Sequence, residues 1–239
     1  MPRALFYHVL RSVRRHPTSA AINLMGLAVG LAACLLLGLY VRHELSYDRF
    51  HEKADRLARV VRTEGAATSS APMAPALERT RPEVEVAVRM VQDEGLVLRP
   101  GEGEQHVNAT GLFVEPAFFR LFSFEQIRGA SESVMSAPDD VVVTESTARQ
   151  VFGTTDVVGR TLRSGEADRP FTITGVVADP PATSHLQFDL LLPFQLIAEE
   201  SPRMNNWATN WLFTYVLLSE NTSPEELDAN LPALFEEHT

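Results

Sequence analysis

TSAAINLMGLAVGLAACLLLGLYV, residues 18–41, is the stretch on which the architecture turns. These residues include no charged side chain. As a helix they would span about 36 Å at about 1.5 Å per residue, enough for a hydrocarbon core of about 30 Å. The one strongly polar side chain, Asn23, lies near an end. Gly26, Gly30, Ala33 and Gly38 place small residues along the span, a spacing that allows a partner helix to approach closely. Glycine is also simply common in membrane helices.

On the N-terminal side the sequence is basic. Arg3, Arg11, Arg14 and Arg15 give residues 1–17 a charge of +4, with no acid among them. The whole chain of 239 residues carries −10, which leaves −14 for the remainder. Arginines on one side only predict a cytoplasmic N-terminus and an extracytoplasmic main domain. Leu5, Phe6, Val9, Leu10 and Val13 share one helical face and the arginines another, so residues 1–17 read as an interfacial amphipathic helix, with Pro17 at the turn into the span. An acidic bulk argues against a nucleic-acid partner, because phosphates repel it. Cys34 is the only cysteine, so no intramolecular disulfide forms and the external part must be stable by packing.

Leu31-Ala32-Ala33-Cys34 raises a rival reading, a signal sequence cleaved to leave a lipid on Cys34. Against it, the apolar run continues from Leu35 to Val41, and the basic segment is long and amphipathic.

Beyond the span, Arg42 to Glu52 reads as a polar helix leaving the membrane, and residues 42–55 as a stalk. Arg56–Thr63 predicts a first strand, Thr68–Pro75 a loop and Ala76–Thr80 a short helix. Val84, Val86, Val88 and Met90 alternate with Glu85, Ala87, Arg89 and Val91, which predicts a half-buried strand. Leu96–Arg99 and Gln105–Val114 flank Pro100-Gly101-Glu102-Gly103 as a hairpin. Glu115–Phe122 predicts an apolar helix and Val141–Val143 a buried strand. Thr144 or Ser146 caps the helix that follows and ends at Gly153. Further strands are expected at Phe171–Ala178 and Trp211–Ser219. Ser223-Pro224-Glu225-Glu226 has the form of a capping box, with Leu227, Leu231, Leu234 and Phe235 on one face and a kink or restart at Pro232. The fold class is therefore α+β: one N-terminal transmembrane helix, then a mixed α/β extracytoplasmic domain of two small lobes. A composition dip at Ala130–Asp139 suggests where the lobes divide.

Candidate chemistry is sparse. His43, Glu44, His51 and Glu52 invite a metal, but the two His-Glu pairs stand eight apart, not at the four-residue spacing that puts two imidazoles on one helix face. Asp179, Ser184, His185 and Asp189 invite a hydrolase. A triad needs three-dimensional geometry, and no Gly-x-Ser-x-Gly turn presents a nucleophile. There is no P-loop, and Gly101-Glu102-Gly103-Glu104 would repel phosphate. Trp207, Trp211 and the aromatics of Phe118–Phe124 could form a ligand surface, although core packing suits such bulk better. No catalytic, metal or cofactor-binding residue is assigned.

Several stretches taken in order resemble a known family. They are Arg11–Pro17, Ile22–Leu31, Glu44–His51, Phe119–Phe124, Val143–Ala148, Phe152-Gly153, Val158-Gly159, Thr174–Pro181 and Ser184–Asp189. Together they look like the N-terminal part of an ABC transporter permease of the FtsX-like type, with a MacB-like periplasmic core domain over residues 56–239. The resemblance implies residence in the inner (plasma) membrane and a cytoplasmic ABC ATPase partner that alone hydrolyses ATP. It also implies pairing of permease chains as a homodimer or heterodimer, and transmission of ATP-driven motion to the external domain. It would make the Asn23–Gly30 stretch a packing face and the segment from Arg42 the stalk that carries motion outward. Such permeases carry three further membrane helices and a cytoplasmic loop that touches the ATPase. These do not fall within residues 1–239, so the sequence is expected to be a fragment or a truncated product. The alternatives are an anchored binding domain, single-pass or held by a lipid, and an anchored hydrolase dependent on His185.

Overall fold

The structure is a computed structural model that describes residue 15 and residues 17–61, 67–101, 106–129, 135–164, 169–199 and 201–236. It forms two compact units, Met1–Tyr47 and Asp48–Thr239. The amphipathic helix expected at residues 1–17 lies almost wholly outside the described residues, as do Glu102 and Gly103 of the expected turn Pro100-Gly101-Glu102-Gly103.

The first unit contains helix α1, Pro17–Glu44, 28 residues with no buried side chain. It is long and apolar enough to cross a membrane. Leu24, Leu27, Leu31 and Leu36 are all more than half exposed, and an apolar surface of this kind is at home in lipid or against other helices. Cys34 lies within this helix, which runs ten residues past it. The helix stops at Glu44, and Leu45–Phe50 are turns. Of the expected stalk helix over 42–55, only Arg42, His43 and Glu44 are therefore α-helical. One cause is local: the Ser46 hydroxyl donates to the His43 carbonyl at 2.6 Å, competing with helical hydrogen bonding.

In the second unit a 3-10 turn, Ala54–Arg56, leads into strand β1, Leu57–Val60. Then come β2 (Ser69–Ser70), α2 (Met73–Thr80), β3 (Val84–Pro100), β4 (Val107–Val114), the single turn α3 (Phe118–Leu121) and β5 (Gln126–Arg128). The second half holds β6 (Asp140–Thr144), α4 (Glu145–Phe152), β7 (Thr161–Ser164), β8 (Arg169–Val177), β9 (Leu190–Pro193), α5 (Gln195–Ala198), β10 (Asn210–Leu218) and α6 (Pro224–Glu236). The predicted caps are present. Thr144 accepts from the Thr147 amide, and Gly153 ends α4 at φ 72°. At α6 the Ser223 hydroxyl accepts from the Glu226 amide, and the Glu226 carboxylate accepts from the Ser223 amide. α6 continues through Pro232.

The sheet order is β1-β10-β3-β4-β9-β6-β8-β5. β7 bridges β8 back to the far end of β3, so pairing runs β3-β4-β9-β6-β8-β7-β3 and closes a six-stranded ring. Alternate residues of these strands turn inward and form one core: Leu96, Leu98, Val107, Val143, Ile173 and Leu190, joined by Ala148 and Val151 of α4. The other lobe is β1-β10-β3. Its one face packs on α2 and α6 through Met73, Leu77, Val216, Leu227 and Leu234. Its other face packs Val86, Val88, Tyr215 and Leu217 under Phe118, Phe122 and Phe124.

The lobes do not part at Ala130–Asp139 as expected. The helix-covered lobe takes strands from both ends of the chain, the ring is built from the middle, and β3 runs through both. Pairing between distant strands leaves no mark in local composition, so a dip in composition could not report where the lobes divide.

Candidate functional site

Asp48 opens the second unit, and the segment from it to Lys53 is held at every turn. Its backbone is left-handed (φ 56°), a conformation that Asp tolerates better than most non-glycine residues. Its amide donates to the Thr183 carbonyl at 2.9 Å. Its carboxylate accepts twice from His185: the amide reaches Oδ1 at 3.0 Å, and Nδ1 lies 2.8 Å from Oδ2. A carboxylate only accepts, so Nδ1 carries the hydrogen of this contact. Nε2 then meets the Tyr215 hydroxyl at 2.6 Å, with the two rings stacked at 5.4 Å between centroids. Burial holds the Tyr215 phenol above its ordinary pKa, with Arg59 acting in the opposite direction.

One turn further on, His51 is buried. Its Nδ1 accepts from the Ser123 amide at 3.1 Å, while the Ser123 hydroxyl accepts from the Glu52 amide. Phe50, Phe122 and Phe124 pack around the ring, with the nearest centroid 3.9 Å away. The far nitrogen, Nε2, is buried and has no hydrogen-bond partner among the described residues. Burial lowers the His51 pKa from 6.5 to about 4; Asp48 opposes that shift and His185 adds to it. Lys53 completes the tether, donating from Nζ to the Arg120 carbonyl at 2.8 Å.

The residues weighed from sequence are dispersed. The Asp179 carboxylate accepts from the Ser146 amide, and the buried Ser184 hydroxyl accepts from the Leu186 amide. The Asp189 carboxylate accepts from the Thr110 amide. Of the proposed hydrolase set only His185 enters the cluster, and its neighbours there are Asp48 and Tyr215. That line of groups can share a proton, but it contains no serine hydroxyl or thiol. Among the described residues no group of three or more His, Cys, Asp or Glu side chains is placed to hold a metal ion. Phe118, Phe122 and Phe124 belong to the core. Trp207 and Trp211 are half-buried against the two smaller clusters.

Sequence reasoning missed the Asp48–His185–Tyr215 cluster. Its members are separated by 137 and 30 residues, and only contact in space relates them. The available signal was that Asp48 and His185 sit in two of the stretches that carried the family resemblance.

Comparison with known proteins bears on the whole arrangement. The family of MacB-like periplasmic core domains matches residues 20–234. Among solved structures, a domain of a protein designated a permease, from Porphyromonas gingivalis, superposes with a TM-score of 0.70 at 31% identity, covering 79% of this chain and 87% of that one. The periplasmic region of MacB from Actinobacillus actinomycetemcomitans gives 0.56 at 15% identity, covering 76% and 81%. The extracellular domain of the noncanonic ABC-type transporter YknZ from Gram-positive bacteria gives 0.50 at 14%, covering 72% and 86%. At those identities the last two speak for the fold alone. No curated protein matches the sequence at a significant level.

Proposed function

The chain belongs to the family of MacB-like periplasmic core domains, and from that premise we propose that it is the membrane-anchored N-terminal part of an ABC transporter permease. In this reading residues 1–17 lie at the cytoplasmic surface of the inner membrane, residues 18–41 cross it, and the unit from Asp48 stands outside. Hydrolysis of ATP belongs to a separate cytoplasmic ATPase. Permease chains pair, and the external unit receives motion delivered through the span.

The observation that carries the mechanical part is the fixing of Asp48–Lys53. A displacement arriving along the chain first meets Asp48, which is bonded to His185 and through it to Tyr215 in β10. It next meets His51 and Lys53, bonded to the backbone around α3 at Ser123 and Arg120. β10 is a central strand of the helix-covered lobe, and its neighbour β3 continues into the ring. Motion entering at Asp48 is thus passed to rigid elements, where a flexible linker would dissipate it.

The test is cross-linking in native membranes followed by purification through a tag on this chain. Recovery of an ATP-binding-cassette ATPase, with its hydrolysis rate altered by Asp48→Ala while recovery is unchanged, is the expected result. Purification of the chain with no such ATPase would overturn the reading.

A further inference from the structure

We propose that His51 is an acid-operated latch. It holds residues 51–53 to the turn after α3 only while its imidazole is neutral, and a proton releases them while the sheet stays folded. What the latch governs, the passage of motion from the entering chain to α3, rests on the permease reading.

The surroundings of the ring fit one protonation state. The Ser123 amide donates to Nδ1 at 3.1 Å, so Nδ1 is a bare acceptor and the hydrogen of the neutral ring sits on Nε2. Nε2 is buried and has no hydrogen-bond partner among the described residues. The rings of Phe50, Phe122 and Phe124 stand around the imidazole at 3.9–5.2 Å between centroids. A second proton can enter only at Nδ1, where it meets the Ser123 N–H donor to donor. It also makes a cation of a residue that is 3% exposed, at heavy cost in desolvation. The Ser123 hydroxyl in turn accepts from the Glu52 amide at 3.1 Å. The two bonds join residues 51–52 to residue 123 as a reciprocal pair, and loss of the first unseats the second.

The charges nearby do not rescue the cation. On its own segment Asp48 is the attractive group, but both of its carboxylate oxygens are engaged by His185. Glu52 is exposed, and Lys53 donates from Nζ to the Arg120 carbonyl. The turn after α3 brings Ser123 and aromatic rings; the ionisable groups that flank it, Arg120 and Glu125, are exposed. The loop before β9 brings His185, which acts against a second positive charge. β10 brings Tyr215, packed on Phe122, with its phenol held above its ordinary pKa by burial. Burial therefore outweighs Asp48, and the ring stays neutral down to about pH 4.

Release is local because little else depends on these residues. Asp48–Lys53 belongs to no strand or α-helix. Phe118, Phe122 and Phe124 keep their packing on Val86, Val88, Tyr215 and Leu217 without it. A short segment of this kind opens at lower free energy than the sheet on which it rests. With His51 released, the entering chain keeps its bonds at Asp48 and loses its hold on α3.

The experiment is hydrogen exchange of the full chain in detergent at pH 7 and pH 4.5. It is read at the amides of Glu52 and Ser123 and, for the sheet, at Tyr215 and Leu217 of β10, each corrected for its intrinsic rate. Glu52 and Ser123 are expected to exchange ahead of β10 at both pH values. Their protection should fall at least about tenfold at pH 4.5, and the fall should vanish in His51→Asn. Exchange of Glu52 and Ser123 in step with β10 would overturn the proposal, since His51 would then act on global stability alone. Protection that does not change with pH would overturn it too, as would a fall that persists in His51→Asn. The first two readings need no variant and decide the matter if His51→Asn does not fold. Recovery of the ATPase at pH 7, scored separately, keeps the two ideas apart: the expected exchange without the ATPase sinks the permease reading alone, and the ATPase with unchanged exchange sinks this one.

Discussion

Asp48 holds His185 from two directions, one carboxylate oxygen on the backbone amide at 3.0 Å and the other 2.8 Å from the ring nitrogen Nδ1. The residues are 137 positions apart. Removing the carboxylate strips both bonds and places a side chain with little tolerance for φ 56° at position 48. Asp48→Ala is expected to destabilise the external unit by about 2 kcal/mol. Asp48→Asn keeps an acceptor and tolerates the left-handed backbone, and should cost about half as much. Thermal melting of the full chain in detergent measures both. Equal losses for the two variants would show that the carboxylate charge carries the whole effect and that the acceptor and backbone tolerance kept by Asn contribute nothing.

His51 makes stability depend on pH. Its pKa is about 4 when folded, against 6.5 for the free side chain. Between these values the unfolded chain binds a proton that the folded chain does not, so stability rises with pH across that window. The contribution is complete above about pH 6.5 and is lost as pH falls to about 4. Its size is at most roughly 3–4 kcal/mol. Asp48 and His185 are the titratable groups that act on it. In His51→Asn an amide oxygen can still accept from the Ser123 amide, and no proton is taken up. Denaturant melts at pH 7 and pH 4.5 should show a smaller difference for this variant than for the parent. An identical difference would clear His51 of the effect.

Much of the fold was legible because its signals were local. The uncharged run of 18–41 marked α1, the alternation of valines marked the first half of β3, and Thr144 and Ser223 marked the starts of α4 and α6. β9 was not legible. Leu190-Leu191-Leu192-Pro193 is a short apolar run, buried throughout, paired parallel to β4, and it has no periodicity to read. β3 was read as two pieces because Asp93-Glu94-Gly95 interrupts its apolar pattern. The strand in fact passes through them with a register shift between Asp93 and Leu96. The site was hidden for the same reason as the ring, since both are made by contacts far apart in sequence.

The interior of the ring leaves no room at Gly111. A Cβ there would lie 2.2 Å from Leu96 Cδ1 and 3.0 Å from Leu192 Cδ1. The nearest clash is with the end of the Leu96 side chain, which must shift within the core that it shares with Leu98 and Leu192. Gly111→Ala is therefore expected to cost about 1–2 kcal/mol, and Gly111→Val more. A more stable Gly111→Ala protein, read from its melting midpoint, would mean that Leu96 moves freely.

Arg89 lies on β3 with its guanidinium over the Phe194 ring, 4.8 Å from the centroid. The Glu115 carboxylate accepts from the Arg89 amide at 2.7 Å and from Nε at 3.1 Å. Both side chains are largely buried. Glu115→Ala leaves a buried cation without its counter-charge and should cost about 3 kcal/mol. Replacing both with apolar residues, as in Arg89→Met with Glu115→Leu, should recover most of that loss. A double variant as unstable as the single one would show that the lost bond to the backbone amide dominates.

Gly30 lies within α1, where an added Cβ would meet nothing within 4 Å. α1 has no buried residue, so Gly30→Leu is sterically free within the isolated chain and makes the span more apolar. Insertion and melting of the external unit should be unchanged. The outcome differs if α1 packs through Gly26 and Gly30 on other membrane helices, as the permease reading requires. An isobutyl group at the closest point of two helices forces them apart and removes the dispersion contacts that hold helices together in lipid. Gly30→Leu is then expected to lower recovery of the ATPase several-fold, with Gly30→Ala intermediate. Leu36→Ala serves as the control for apolar bulk elsewhere on the span and should leave recovery intact. Full recovery with Gly30→Leu would place that face against lipid and would take the small residues of α1 out of the assembly altogether.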